Sequence, residues 1–581
     1  MSGLDPYLAT LEVSGLIRLA QMVPELEYLF RHALVQDAAY ISLLKEDRKR
    51  LHRTVGEALE QLYPDRLDDL APLLARHFQG AGDDDRALHY FTRAGDRALA
   101  VYANQEAERH YRAALALASA GSMRPRLLTG LGEALTLQSR ADEAIATWRA
   151  AIALYQAQGA ADPVARLYSR AARAAFWSGD KPGSLAICRE GLAQVAPGAE
   201  SPGVAALLHE TARSSFFNGL PADAATLCGA ASAMATRLGD VEVQAEALAT
   251  LGLLRDRPLP ALLAALEQAV ALSEGAGLLA IALRAHTNLG GRLVDAGELL
   301  AAQDHILRAA QLAHLRGAAA EELYILIQAV WPAFFLGNFQ LVAEMLPVLR
   351  QLQATLDSNR RTTGLAPVWV EAGLQYYQGA WGAAADQLRA CCLEAQRLDD
   401  LSNFAQVSCF LAEVLIELRA WDEAAAVLAP ALTLGDRGLD LNGVEPRMLL
   451  VSACAGGGQY DAARRVLAAA WHKAGPAPSR MDARMLALAE ARLAAAEQRW
   501  PDALAAFQAV VAADAQMGMR WYQARTLWEW ADALLARGAP GDPARAGELL
   551  HAAHALFVAL DVPRYAAWVG DRLQALAAPP A

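Results

Sequence analysis

Gly379-Ala380-Trp381, with Ala384 three residues on at the head of an apolar run, is one instance of a phrase that recurs down the chain. The others read Gly337-Asn338-Phe339, Arg419-Ala420-Trp421, Gly458-Gln459-Tyr460 and Gln498-Arg499-Trp500. Each joins a small or polar residue to an aromatic one, and a small or β-branched residue follows a few positions later. Anchoring on that later residue gives Ala107, Ala144, Ser184, Ala224, Ala264, Ala302, Val342, Ala384, Ala424, Ala463, Ala503 and Ala546. The steps are 37, 40, 40, 40, 38, 40, 42, 40, 39, 40 and 43 residues. A fixed period near forty over about 440 residues predicts a helical solenoid, because one such unit cannot bury its apolar face alone and must stack on its neighbours.

Around the repeats the composition agrees. Ala, Leu, Glu, Arg and Gln fill the windows, and the alternation of β-branched and aromatic residues that marks strands is nearly absent. The expected fold is all-α, an α-solenoid coiled as a right-handed superhelix of about twelve degenerate helix-turn-helix repeats. The 581 residues carry 52 basic and 64 acidic side chains, a net charge of −12. Such a surface repels phosphate backbones and anionic lipid, so neither nucleic acid nor membrane is expected as a partner. No window of about 18 apolar residues lacks a charge, so no transmembrane helix is expected. Met1 to Leu11 has neither the basic start nor the apolar core of a signal peptide. The six cysteines, Cys188, Cys228, Cys391, Cys392, Cys409 and Cys454, form no C-x-x-C pair and all lie in apolar helical stretches. That usage suits buried free thiols and a cytoplasmic location. Cys391 and Cys392 point about 100° apart on a helix, against a metal or redox role.

Residues 1–62 lie outside the period. Leu8, Leu11, Leu16 and Ile17 suggest a helix ending near Gly15, Glu27-Tyr28-Leu29-Phe30 a short strand, and Glu46 to Leu62 a helix closed by Pro64. Residues 63–104 read as a helical linker in which Asp83 to Asp85 place negative charge at a helix N-terminus. The solenoid spans 105–576, with loop insertions at Arg255 to Pro260, Gly435 to Gly443, Ala474 to Pro478 and Ala539 to Pro543. A disordered tail covers 577–581.

Within single units, Leu289-Gly290, Gly297 and Ala302 fit a further pattern: a Leu-Gly pair, a turn glycine and a small residue opening the second helix. Leu131-Gly132 before Ala144 and Leu251-Gly252 before Ala264 fit the same places, and the pair is eroded at Ala372, Ala412 and Ala491. The array resembles the long, degenerate tetratricopeptide-like repeats at the C-terminal end of STAND-type NTPases, proteins often fused to class III adenylate/guanylate cyclase domains. The run Tyr28-Leu29-Phe30-Arg31-His32-Ala33-Leu34-Val35-Gln36-Asp37-Ala38-Ala39-Tyr40, with Leu43-Leu44, Arg48, Leu51-His52-Arg53 and Ala58-Leu59-Glu60, is similar to the segment joining the winged-helix part to those repeats. His77 and Ala94-Gly95-Asp96-Arg97-Ala98 fit as well. On this resemblance 1–62 is a winged-helix-like remnant and helical junction. No G-x-x-x-x-G-K-[ST] occurs in the chain, so the family's ATP hydrolysis is carried over onto no residue.

No H-E-x-x-H, G-x-S-x-G or metal-ligand cluster is present, and no cofactor or catalytic residue is expected. Gly456-Gly457-Gly458 sits at a repeat turn. Glu46 and Asp47 interrupt the basic run Lys45, Arg48, Lys49, Arg50, Arg53. His286, His305 and His314 lack partners at ligand spacing.

The resemblance implies that each unit's first helix lines a concave groove. Eight and seven residues before the anchors lie Phe176-Trp177, Phe216-Phe217, Phe334-Phe335 and Tyr376-Tyr377. Eleven before lie Arg173, Arg213, Trp331 and Gly373, and fifteen before lie Ser169, His209, Ile327 and Trp369. These offsets share a helical face. The candidate ligand-binding residues are therefore Arg173, Trp177, His209, Arg213, Phe217, Trp331, Trp369 and Tyr377: guanidinium forks for carboxylate or phosphate, aromatic floors for peptide side chains or sugars. A stripe at this spacing equally fits core packing with the arginines paired to local acids. Trp381, Trp421 and Trp500 are expected to wedge between the two helices of a unit, and Trp521, Trp528 and Trp530 to seal the end of the core. The expected function is a non-catalytic module that binds a protein, peptide or small effector as sensor or scaffold for an NTPase/cyclase system. The alternative is a self-associating structural solenoid, a homo-oligomeric scaffold with no small ligand.

Overall fold

The structure, a computed structural model, describes residues 4–21, 27–118, 123–254, 257–356, 364–398, 400–436 and 444–577. Arg255-Asp256, most of the Gly435 to Gly443 loop and all but the first residue of the tail lie outside the described residues. Among those described are 29 α-helices and one two-stranded sheet. The chain packs as two units, Met1–Ser214 and Ser215–Ala581, and it is an all-α solenoid of helix pairs.

In the first unit the helix Asp5–Val13 ends before Gly15, whose φ of +73° turns the backbone. Leu16 and Ile17 do not extend the helix. Ile17–Gln21 (β1) pairs antiparallel with Glu27–Phe30 (β2), Ile17 opposite Phe30. The alternation Ile17-Arg18-Leu19 has a strand's period, and Ile17 is the residue of this hairpin that is buried. The helices Ala33–Ser42, Lys45–Leu62 and Leu67–Ala81 follow. Asp83 then caps Asp84–Ala100, its carboxylate accepting from the Arg86 backbone N–H at 3.1 Å. Three pairs complete the unit: Asp84–Ala100 with Asn104–Leu117, Met123–Leu137 with Ala141–Ala157, and Ala161–Trp177 with Lys181–Leu192. The first of them opens inside the stretch expected as linker. Pro202–Phe217 crosses the division between the units.

In the second unit the first helices are Val241–Leu251, Leu279–Ala296, Ala319–Leu336, Ala366–Tyr377, Leu401–Glu417, Glu445–Gly456, Arg480–Ala496 and Arg520–Arg537. Their second helices begin at Leu259, Leu299, Phe339, Trp381, Trp421, Tyr460, Trp500 and Asp542, and Pro563–Ala577 closes the array.

The anchors mark the fourth residue of nearly every second helix, and Ala107, Ala144, Ser184, Ala224, Ala302, Val342, Ala384, Ala424, Ala463, Ala503 and Ala546 are fully buried. Ala264 is the exception. It is exposed, and Leu262, the fourth residue of its helix, is buried instead, because the proline-marked turn before it shifts the register. The first residue of the recurring phrase is left-handed in all five quoted units, with φ of 73° at Gly337, 82° at Gly379, 57° at Arg419, 76° at Gly458 and 59° at Gln498. That conformation reverses the chain between paired helices. A Cβ at Gly132, Gly252 or Gly290 would collide with Trp148, Leu266 or Ile306 on the facing helix, which is why the Leu-Gly places take glycine.

Ala319–Leu336 is long and apolar enough, by length and composition, to cross a membrane. Its apolar side chains, Leu323, Ala329, Val330 and Phe334 among them, belong to the core of the second unit, and Glu321 and Glu322 occupy its first turn.

The second unit also packs along its own superhelix. Each of three first helices meets the first helix five repeats on. Leu279–Ala296 meets Arg480–Ala496, with Arg480 donating to the Ala296 carbonyl at 3.3 Å. Ala319–Leu336 meets Arg520–Arg537. Ala366–Tyr377 meets Pro563–Ala577, where the Tyr565 hydroxyl donates to the Tyr376 carbonyl at 3.2 Å. The edges stack as well: Met517 lies over Gly297, Leu560 over Gly337 and Trp568 over Gly379. One buried cluster runs from Ala282 to Val569 as a result. Its aromatic pairs, such as Tyr377 edge-on to Trp521 at 4.8 Å, each add about 0.5–1.5 kcal/mol beyond area burial.

Trp381 belongs to this second contact layer. Its indole N–H donates to the Tyr565 hydroxyl at 2.8 Å and its ring lies 4.6 Å from that of Trp568, so it does not wedge within its own unit. Trp421 packs against Gly456 and Trp500 beside Trp530, each on the next first helix. Trp521 is buried in the middle of the aromatic stack and not at the end of the core.

Candidate binding site

The eight sequence-predicted residues fall into two groups. In the first unit Arg173 and Arg213 converge on one acid: Glu210, fully buried, accepts from Arg173 Nε at 3.0 Å and from Arg213 Nε at 3.0 Å. The Arg213 guanidinium also lies 4.0 Å from the centre of the Phe176 ring. Burial pushes the Glu210 carboxyl up, but Arg213 and Arg173 outweigh it and hold it below the usual carboxylate range. His209 and Arg213 are buried, whereas Trp177 is exposed and edge-on to Phe176. Phe217, at the start of the second unit, is part-exposed and edge-on to Phe216.

The other group is brought together in the second unit. Trp331 stacks on Trp369 at 5.3 Å, and the Tyr377 hydroxyl pairs with that of Tyr522 at 2.7 Å. Trp369 and Tyr377 are buried. Tyr377 does not floor an open groove, because Trp521 and Tyr522 of the next superhelical turn pack on it.

Where the turns do not touch, they enclose a lumen. It holds about 790 Å³ of non-atom space, part of it open to solvent, and six first helices line it. Its wall combines charge with aromatic and aliphatic surface: Glu413, Glu417, Glu445, Arg484, Arg492, Arg525 and Glu529 beside Phe335, Tyr376, Trp521, Tyr522, Ile416, Met448 and Leu449. All three arginines are paired. Arg525 reaches both oxygens of Glu417 at 2.7 Å, and Arg492 reaches both of Glu529 at 2.8 Å and Ser452 Oγ at 3.2 Å. Arg484 reaches Asp514, behind the wall, at 2.7 Å.

Two acids remain. Glu413 accepts the Tyr376 and Tyr522 hydroxyls at 3.3 and 3.4 Å. Glu445 has no hydrogen-bond or ion-pair partner among the described residues. Burial pushes Glu413 up to about 7, helped by the neighbouring charge of Glu417. Burial pushes Glu445 up to about 8, helped by Glu413 and Asp482. Glu529 goes the other way: burial is outweighed by Arg492 and Arg525, which hold it at about 2.

Sequence reading named Phe335, Tyr376 and Trp521 but none of the charged lumen residues, yet its own offset reaches two of them. Glu413, Ser452 and Arg492 stand eleven residues before Ala424, Ala463 and Ala503, the place that Arg173, Arg213 and Trp331 hold in earlier repeats. Carrying the equivalence three units further was the available signal.

The supposedly isolated histidines include a pair. His286 and His305 face each other, Nδ1 to Nδ1, at 2.8 Å, with Glu274 at 3.3 Å from His286 Nε2. Among the described residues no group of three or more His, Cys, Asp or Glu is arranged to hold a metal ion. All six cysteines are free and buried, and burial pushes Cys392 up to about 12.

No family model matches the chain, and no curated protein matches it. Among solved structures the chain is similar to the APC/C hetero-tetramer Cut9-Hcn1, with 10% identity over 84% of this chain and 93% of that one and a TM-score of 0.46. It is similar to Rap protein complexed with competence and sporulation factor, with 14% identity over 64% and 97% and a TM-score of 0.39. It is also similar to a STAND protein with a tetratricopeptide repeat sensor from Pyrococcus horikoshii, with 13% identity over 64% and 55% and a TM-score of 0.38. None of these likenesses bears on function, and the fold rests on the helix pairs themselves.

Proposed function

We propose that this chain is a non-catalytic binding solenoid that admits a peptide or small effector to the lumen of its second unit. The observation that carries the reading is the lumen itself: a cavity on the inner helices of the second unit whose wall sets charged side chains into aromatic and aliphatic surface. Apolar and aromatic surface carrying a few convergent polar groups is the usual form of a ligand site. The test is a thermal-shift screen of amino acids, short peptides, nucleotides and sugars on the full chain. It is repeated on Ile416→Trp and Leu449→Trp, two independent fillings of the cavity. A hit lost in both variants supports the reading, and a hit that persists in both overturns it.

The sensor role in a signalling ATPase or cyclase system belongs to the same proposal. It is supported by the contiguous motif at 28–60 and by the β1–β2 hairpin that precedes it. Leu34, Ile41 and Leu44 stand 81%, 71% and 74% exposed on and between the helices Ala33–Ser42 and Lys45–Leu62, an apolar face suited to a docked module. Leu34→Asp with Ile41→Asp should abolish co-elution with a STAND-type NTPase module, and unchanged co-elution overturns the relay. Exposed Leu300 and Leu315 on one second helix favour self-association as the competing use of the fold. Light scattering over a concentration range decides it.

A further inference from the structure

We infer that the lumen is selective for a basic ligand: a lysine- or arginine-type side chain seated against Glu413 and Glu445, with an oxygen acceptor on the same molecule for Trp521. This rests on the reading of the lumen as the binding site and names its ligand class.

The argument begins with the charge of the wall. Arg525, Arg492 and Arg484 are taken by Glu417, Glu529 and Asp514. Glu413 and Glu445 keep only two long phenol hydrogen bonds between them. Both carboxyls are half-buried; a carboxylate partly withdrawn from water without a cation is costly, and one ammonium or guanidinium facing both would relieve it. The groups that face this pair are Glu417 on Glu413's own helix, Tyr376, Asp482, Arg484, Arg492, Tyr522, Arg525 and Glu529. Among them the cations are already committed.

An independent observation lies on the same wall. Trp521 is 1% exposed, and its indole N–H has no hydrogen-bond partner. Buried donors are nearly always paired, so a ligand carbonyl or carboxylate oxygen would complete it. Ile416, Met448 and Leu449 supply apolar surface for an aliphatic stem, and Phe335 and Tyr376 supply aromatic faces that attract a cation. A cation, an aliphatic stem and an oxygen acceptor on one molecule describe a basic amino acid or a basic residue within a peptide.

Isothermal titration of the full chain tests this with L-arginine, L-lysine and the tripeptide Gly-Lys-Gly. L-norleucine is the uncharged match and putrescine the cation without an acceptor. At least one basic probe should bind at least about tenfold tighter than norleucine and than putrescine. Binding by the free amino acids alone assigns the site to a metabolite, and binding by Gly-Lys-Gly alone assigns it to a peptide. Glu413→Gln and Glu445→Gln should each weaken binding at least about tenfold, with circular dichroism and melting midpoint checking that each isosteric variant folds. Binding should tighten as pH rises from about 6 to about 9 while protons leave the two carboxyls, so titrations in buffers of different ionisation heat should read proton release. Equal affinity for norleucine, unchanged affinity in both Gln variants, or no binding of any basic probe to about 10 mM overturns the inference. If a neutral or anionic compound binds and Leu449→Trp and Ile416→Trp block it, the lumen reading stands and the basic-ligand inference falls. If a basic probe binds equally well in both filled variants, the lumen reading itself falls.

Discussion

Arg213 in the first unit and Glu413 in the second hold the same place in their repeats, eleven residues before the buried anchors Ala224 and Ala424. Their surroundings have opposite balance. Around Arg213 one carboxylate, Glu210, takes two guanidiniums and stays charged. Around Glu413 every guanidinium has another partner, and two carboxyls drift up toward neutrality. A repeat therefore fixes where an inner-face side chain stands but not what it does. One site is a closed ionic knot that holds helices together, and the other is a cavity short of a cation.

The largest effect should come from untying the knot. Glu210→Ala leaves Arg213 buried without its acid and should destabilise the first unit by about 4 kcal/mol, read by urea denaturation. The knot's pH dependence has a definite sign. Because the Glu210 carboxyl is lowered on folding, its stabilisation is full above the ordinary glutamate value and is lost as pH falls through the folded value.

The second unit is broken by loosening the edge that closes the lumen. Met517 is buried against Gly297 five repeats away, and Met517→Ala should cost about 3 kcal/mol. Small-angle scattering should show expansion of the chain. An unchanged profile with unchanged stability would mean that the turns do not rest on each other.

Next come the two free acids. Their carboxyls are raised on folding, so their contribution to stability is full below the ordinary glutamate value. It is lost as pH rises through about 7 at Glu413 and about 8 at Glu445. Glu413→Gln with Glu445→Gln should flatten the fall of melting midpoint from about pH 5 to about pH 9, the reverse of the trend at Glu210. A parallel pH profile in wild type and variant counts against the uncompensated lumen.

The smallest effect tests the turns that both units share. Gln498 is left-handed where sister turns use glycine, and Gln498→Gly should stabilise by about 1 kcal/mol, read as a raised denaturation midpoint.

Most of the architecture was legible because the period is local physics. The anchors mark where two helices of a pair touch, and a small residue there is a requirement of close packing that shows in one unit at a time. The slip at Ala264 shows the limit, since a second helix that opens two residues early moves the register without disturbing the spacing of later repeats. The candidate site was legible only as a position. Arg173 and Arg213 were found because two neighbouring repeats carry the same residue. Glu413, Ser452 and Arg492 differ in kind at that place and gave no visible stripe. The burial of Tyr377 was hidden for a different reason: Tyr522 lies 145 residues from Tyr377, a separation at which repeat spacing says nothing about contact. The 19-residue separation of His286 and His305 concealed their pairing in the same way.

The five-repeat stacking makes repeat number a fixed quantity. Most solenoids can gain or lose an internal unit, since each unit touches only its neighbours. Here, removing one repeat between Ala366 and Arg480 would bring Gly297 opposite the wrong edge, leave Trp381 without Tyr565 and part Tyr377 from Tyr522. A single deletion would rewrite three contacts at once and dissolve the chamber they enclose. Natural variants of this chain should therefore differ by residues within repeats and by insertions at their outer loops, while the count of units between the stacked turns stays the same.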